Sequence, residues 1–149
     1  MVNPAFPRHQ LVGVYNLEMA RIYNYLLQQT ESNFTIIHSL DGYDEISLTG
    51  ETKVITGKGE KIMTPEELGK RTVSAADIYG GSTVEESAKI FMSILKGKGT
   101  WAQNAVVLAN SAMALQCTEQ YESYDECYQL AVESLESGRA LEALKKLVN

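Results

Sequence analysis

The chain has 149 residues, 44% of them apolar, which suits a single domain able to bury a core without disulfides or a structural metal. Thirteen basic against nineteen acidic residues leave a net charge of −6, which disfavours a general nucleic-acid footprint. Two cysteines, Cys117 and Cys127, and two histidines exclude a disulfide scaffold and a structural zinc cage, so both thiols are expected to pack as small apolar residues in a reducing compartment. The start shows no basic region followed by an apolar stretch. The most apolar segment, 105–115, is interrupted by Asn110 and Ser111 and falls far short of the roughly 20 residues of a membrane span. A cytoplasmic domain is the expectation.

The first half alternates strand and helix signals. Residues 11–15 form a short apolar run, Asn16 offers a helix N-cap, and Met19, Ile22, Tyr23 and Leu26 follow at the spacing of one helical face. The β-branched run from Phe34 through Ser39 reads as the next strand. Strand, helix and strand with short connections predict a βαβ unit with parallel strands. Beyond an acidic loop at 41–45, the stretches 46–48, 53–56 and 61–63 look like short strands, the last two joined by a turn at Gly57-Lys58-Gly59. Thr64-Pro65-Glu66-Glu67 carries an N-cap Thr, Pro at the first helical position and Glu three residues on, and Gly69 ends that short helix.

The second half, beyond Gly80-Gly81, reads as helical throughout. Capping boxes are expected at Ser82-Thr83-Val84-Glu85 and Thr100-Trp101-Ala102-Gln103, the second opening a helix that is apolar nearly all round and expected to be the most buried. A third helix starts at Ser123 and closes at Gly138, and Leu141, Leu144 and Val148 form the stripe of a last one. The fold class is therefore α/β: a partial, mostly parallel sheet with a small antiparallel hairpin, covered by helices, the second half all helical. Tyr23, Tyr25, Phe91 and Trp101 read as core, whereas Tyr121, Tyr124 and Tyr128 read as a tyrosine-rich surface stretch.

The segment Leu40-Asp41-Gly42-Tyr43-Asp44-Glu45 lies just past the carboxyl end of a predicted strand, the edge where open α/β sheets bind ligands. Its three carboxylates repel one another unless water, a cation or basic groups compensate. Magnesium suits such a place, because it takes one or two carboxylates and completes its shell with substrate phosphates. A solvated acidic turn is the alternative. Gly97-Lys98-Gly99-Thr100 lacks the spacing of a phosphate loop and follows a helix, so a plain connector is expected there. Gly80-Gly81-Ser82 reads as an ordinary cap, and neither His9 nor His38 has a partner that would make a nucleophile–base pair.

Several segments occur in an order that carries a resemblance: Asn3-Pro4-Ala5, Gln10-Leu11-Val12-Gly13-Val14, His38, Asp41-Gly42-Tyr43-Asp44-Glu45-Ile46-Ser47, Thr49-Gly50, Gly80-Gly81, and Asn104-Ala105-Val106-Val107-Leu108-Ala109-Asn110. From Asn3 to its end the chain resembles the C-terminal part of the anthranilate phosphoribosyltransferase family. The resemblance implies a glycosyltransferase of tryptophan biosynthesis that joins anthranilate to phosphoribosyl pyrophosphate and releases pyrophosphate. It implies that Asp44 and Glu45 help hold Mg2+ at the pyrophosphate, with no catalytic residue of its own assigned to this chain. The family's Gly-Thr-Gly-Gly-Asp phosphate loop, its Lys-His-Gly-Asn segment, an arginine near the anthranilate site and its helical N-terminal domain have no counterpart here. His38-Ser39 stands where the family usually has His-Gly. The chain is thus expected to be a C-terminal α/β fragment, inactive alone and able to self-associate, of a full-length homodimer without nucleic-acid or membrane partners. Two other readings remain: a stand-alone metal-binding or regulatory module without catalysis, and a related pyrimidine nucleoside phosphorylase domain, against which the Asp44-Glu45 pair argues.

Overall fold

A computed structural model describes residues 7–69 and 71–148. Four strands, β1 (His9–Gly13), β2 (Asn33–Ser39), β3 (Thr52–Thr56) and β4 (Gly59–Met63), form one sheet in the order β1-β2-β3-β4. Helix α1 (Leu17–Leu27) connects β1 to β2, which pair in parallel from His9 opposite Asn33 to Gly13 opposite Ile37. This is the expected βαβ unit. The 53–56 and 61–63 stretches form the expected hairpin, but β3 also pairs antiparallel with β2. The α/β class holds, while the sheet is mixed rather than mostly parallel among the described residues, with one parallel and two antiparallel pairings.

Helix α1 begins as its sequence dictates, with the Asn16 side chain accepting from the Met19 N–H at 2.8 Å. Strand β1 starts two residues earlier than its apolar run, because pairing along β2 recruits the polar His9 and Gln10, and Tyr15 is left exposed. On β2 successive side chains alternate between two covered faces. Phe34 and Ile36 pack with Val12, Ala20, Leu27 and Ile55 on the α1 side, whereas Ile37 packs with Val54, Ala105, Ala109 and Met113 on the other. A strand covered on both faces reads as a continuous apolar run, which is why residues 34–39 are so visible in the sequence.

After β4 come α2 (Pro65–Gly69), a 3-10 turn at Ala75–Ile78, and then α3 (Val84–Leu95), α4 (Trp101–Cys117), α5 (Tyr124–Glu136) and α6 (Arg139–Val148). Thr64 and Glu67 exchange backbone and side-chain bonds at the start of α2, and Thr100 and Gln103 do the same at α4. The cap of α3 falls one residue later than expected: Thr83 accepts from the Glu86 N–H, and the Glu86 carboxylate accepts from the Ser82 N–H. Helix α4 buries Ala102, Ala105, Ala109, Ala112, Met113 and Cys117, more residues than any other helix described, and lies between the sheet and α5. Both cysteines are free and buried, as expected.

Three expectations fail. Residues 46–48 are not a strand but a buried irregular segment, because their backbone bonds go to side chains and to a distant loop rather than to a neighbouring strand. Tyr25, Phe91 and Trp101 are not core, being 69%, 50% and 43% exposed; of that set Tyr23 alone packs partly buried, against the α1-side cluster. Helix α3 is largely uncovered too, with Ile94 its one buried residue and Ile90, Met92 and Leu95 half-buried. Conversely, Tyr124 and Tyr128 are buried rather than superficial, because the helix face that carries them meets α4 and α2, where the Tyr124 hydroxyl finds the Leu68 and Ala109 carbonyls. Asn3-Pro4-Ala5 lies outside the described residues. Among those residues no helix is long and apolar enough to cross a membrane.

Candidate metal-binding loop

The chain leaves β2 at Ser39 and reaches β3 at Thr52 through a loop whose backbone is held from several directions. Ser39 donates its N–H to the Tyr43 carbonyl and accepts from the Gly42 N–H through its own carbonyl, closing a tight turn. Gly42 sits at φ +103°, where a side chain is strained, so the sequence places its one glycine of this turn there. The fully buried Ser39 hydroxyl donates to the Glu45 carbonyl at 2.7 Å, lies 3.1 Å from the Thr52 hydroxyl and accepts from the Ser47 N–H. A serine here does what glycine, usual in the resembled family, has no side chain to do: it ties both arms of the loop together.

Two further anchors flank the acidic pair. On one side, Gly13 at the carboxyl end of β1 lies directly under Asp44, so close that a Cβ built on Gly13 would overlap the Asp44 carbonyl. On the other, Asn110 of α4 holds both backbone groups of Ile46: its Oδ1 accepts from the Ile46 N–H at 3.0 Å, and its Nδ2 donates to the Ile46 carbonyl at 2.9 Å and to Val106 at 2.8 Å. Leu48, fully buried and at φ 59°, packs against Gly69 and passes its carbonyl to the Val73 N–H. A left-handed leucine costs of order 1–3 kcal/mol, an amount similar to what burying its side chain contributes. Next to the loop, the His38 Nδ1–H donates to the Val14 carbonyl at 2.8 Å, fixing the ring of a buried histidine and joining the end of β2 to the β1–α1 connection.

Asp44 and Glu45 themselves are exposed. The structure brings these two carboxylates together and separates Asp41 from them in role. Asp41 accepts from the hydroxyls of Thr49 and Ser47 and lies against Gly50, so it organises the loop's return to β3. Glu45 holds its proton above the usual glutamate range, first because of its hydrogen bond with the Asp44 side chain, then through partial burial and the Asp44 charge. Two carboxylates held side by side in this way are a donor set that suits a divalent cation. Among the described residues no group of three or more His, Cys, Asp or Glu side chains gathers to cage an ion. The pair fits magnesium as an open, two-carboxylate site whose remaining positions go to water or to phosphate oxygens.

The sequence locates Asp44 and Glu45 but not the residues that place them. Gly13, Ser39 and Asn110 carry a signal, Asn110 most clearly, as a polar side chain inside the most apolar helix. The neighbouring candidates stay apart from this site. Gly97-Lys98-Gly99 is a connector between α3 and α4, as expected, and His9 lies on β1 with its Nδ1 buried and without a hydrogen bond among the described residues.

A family model described as "Glycosyl transferase family, a/b domain" matches residues 1–141. The chain is 57% identical over 147 residues to the anthranilate phosphoribosyltransferase of Flavobacterium psychrophilum, covering 99% of itself and 44% of that protein. Against the enzyme of the same name from Bacteroides thetaiotaomicron it is 51% identical over 148 residues, covering 99% of itself and 45% of the relative. The chain thus spans less than half the length of these curated relatives. Among solved structures, anthranilate phosphoribosyltransferase from Thermus thermophilus superposes with a TM-score of 0.83 at 29% identity, over 97% of this chain and 43% of that one. The Saccharomyces cerevisiae enzyme in complex with PRPP and Mg shares the fold, with a TM-score of 0.79 at 24% identity over 92% of this chain and 40% of that one.

Proposed function

The chain belongs to the glycosyl transferase family whose a/b domain matches residues 1–141, and on that premise we propose that it forms the metal-holding C-terminal α/β part of an anthranilate phosphoribosyltransferase. The reaction of the whole protein is transfer of the phosphoribosyl group of phosphoribosyl pyrophosphate to anthranilate with loss of pyrophosphate, a step of tryptophan biosynthesis in the cytoplasm. The observation that carries this reading is the acidic pair Asp44-Glu45, exposed at the carboxyl end of the sheet on a backbone held by Gly13, Ser39 and Asn110.

Departure of pyrophosphate builds negative charge on the leaving group and positive charge on the ribose carbon. Magnesium, when bound, neutralises the first of these without a protein nucleophile. Asp44 and Glu45 would be its protein ligands, both as carboxylates. Because the loop backbone is already pinned on both sides, these residues would hold the ion without reorganising. The phosphate loop and the anthranilate-binding groups would come from outside this chain, so the chain alone should have no transferase activity. Orientation of the two substrates contributes about 7–11 kcal/mol in such reactions, and here nothing supplies it.

The test is a chimera in which this chain replaces the matching 147 residues of the Flavobacterium psychrophilum relative. It should consume anthranilate, followed by its fluorescence, and Asp44→Asn or Glu45→Gln in it should raise the magnesium concentration needed for half-maximal turnover. A folded chimera without activity would refute the transferase reading, and unchanged magnesium dependence in both variants would refute the metal assignment. The unpaired edge of β1, the exposed Phe91 on α3 and the exposed Tyr25 and Leu26 on α1 further favour self-association of the chain. It would differ from the homodimer of the full-length protein, and light scattering over a dilution series should show mass rising with concentration; a constant monomeric mass would refute it.

A further inference from the structure

At the end of the sheet opposite the acidic loop, a cavity of about 520 Å³ opens between β2, the β3–β4 hairpin and the carboxyl end of α4. This volume is of the size that small-molecule sites use. Residues paired across a sheet share a face, so the register places Thr35, Val54 and Lys61 on the side of the sheet that meets α4. Helix α4 ends at Cys117 and leaves this corner uncovered, and the cavity takes its place, with Met113 and Tyr121 as its further apolar wall. The length of β2 separates it from the acidic loop, about 20 Å along the strand.

Thr35 is 4% exposed, lines the cavity, and makes no side-chain hydrogen bond among the described residues. Its hydroxyl is not sealed in the sheet interior but opens to the cavity. At the rim stand one ammonium, Lys61, and one carboxylate, Glu122, each without an ion pair among the described residues, while Lys58 and Glu119 nearby already pair with each other at 2.7 Å. Among the described residues the unmatched lining is therefore one positive charge, one negative charge, the Gln116 amide and the Thr35 hydroxyl around an apolar wall of Val54, Met113 and Tyr121. We propose that this cavity binds a zwitterionic α-amino acid with an apolar side chain. Its carboxylate faces Lys61, its ammonium faces Glu122, one of its polar atoms bonds the Thr35 hydroxyl, and its side chain lies on the apolar wall. This site is independent of the metal loop and stands or falls separately from the transferase reading.

The experiment is a titration of the isotope-labelled chain with L-leucine, followed by amide chemical shifts, with isoamylamine and 4-methylpentanoate as probes that carry one charge each. L-Leucine in the millimolar range should move the resonances of Thr35, Val54, Lys61 and Glu122 and leave those of Asp44 and Glu45 in place. Lys61→Met and Glu122→Gln, both at exposed positions, should each weaken binding about tenfold, the loss of one charge-assisted bond. Thr35→Val, nearly isosteric, should weaken it while leaving the remaining spectrum unchanged. Absence of shifts with L-leucine, binding of either single-charge probe as tightly as L-leucine, or shifts centred on the acidic loop would each overturn the proposal.

Discussion

Replacing Asn110 by alanine removes the side chain that holds both backbone groups of Ile46, and the structure gives the size of the effect. Ile46 is 1% exposed, so water does not reach its N–H or carbonyl once Oδ1 and Nδ2 are gone. A buried group left without a partner costs about 1–3 kcal/mol, so two of them, partly relieved by relaxation of the loop, amount to roughly 2–4 kcal/mol. With urea slopes of about 1–3 kcal/mol per molar, the unfolding midpoint should fall by about 1–2 M with little change in slope. Asn110→Asp keeps the acceptor for the Ile46 N–H and loses the donors, so its midpoint should lie between those of alanine and wild type. Hydrogen exchange adds a local readout: the Ile46 amide should lose protection in the alanine variant while amides of the β2–β3 ladder keep theirs. An alanine variant within about 0.5 kcal/mol of wild type, the range of an ordinary surface substitution, would refute the claim that Asn110 anchors the loop.

Other consequences follow from the same contacts. Gly13→Ala should destabilise the chain by about 1–3 kcal/mol, because the backbone of Asp44 has to move to admit a methyl group, and calorimetry should see it. In the chimera the same change should also raise the magnesium requirement. At alkaline pH, burial raises the Tyr124 and Tyr128 hydroxyls and the Cys127 thiol above their ordinary ranges. Groups raised in the folded state favour it below their unfolded values and lose that contribution as pH climbs, so stability should decline from about pH 9 upward. Tyr124→Phe should flatten that decline and lower stability at neutral pH by about 1 kcal/mol for its lost bonds to Leu68 and Ala109. Glu45 is also raised, by its bond with Asp44, so its contribution is complete below about pH 4.5 and is lost as pH rises through its folded value. Glu45→Gln should remove that segment of the thermal-stability profile, and added magnesium should compensate for it in the wild type. A profile identical in both proteins would show that the two carboxylates do not interact.

Local chemistry alone placed most of the elements. Asn16, Thr64, Thr100 and Ser123 announce helix starts because each satisfies backbone N–H groups within three residues, without help from the rest of the chain. The run from Phe34 to Ser39 announces a strand covered on both faces, and Asp44-Glu45 stand out just beyond its carboxyl end as an exposed acidic pair. Tertiary packing decided the remainder. Residues 46–48 carry a strand's composition, yet their partners lie 64 residues away on Asn110 and beyond α2 at Val73, which no local pattern reveals. Phe91 and Trp101 show a core's spacing and stay exposed, whereas Tyr124 and Tyr128 look superficial and are buried. Periodicity says that a helix has an apolar face; only the neighbours determine whether that face is covered. The carboxylates were legible because their chemistry is in their side chains. The groups that aim them, the Gly13 backbone, the Ser39 hydroxyl and the Asn110 amide, act through contacts between segments distant in the chain, and those exist only once the chain has folded.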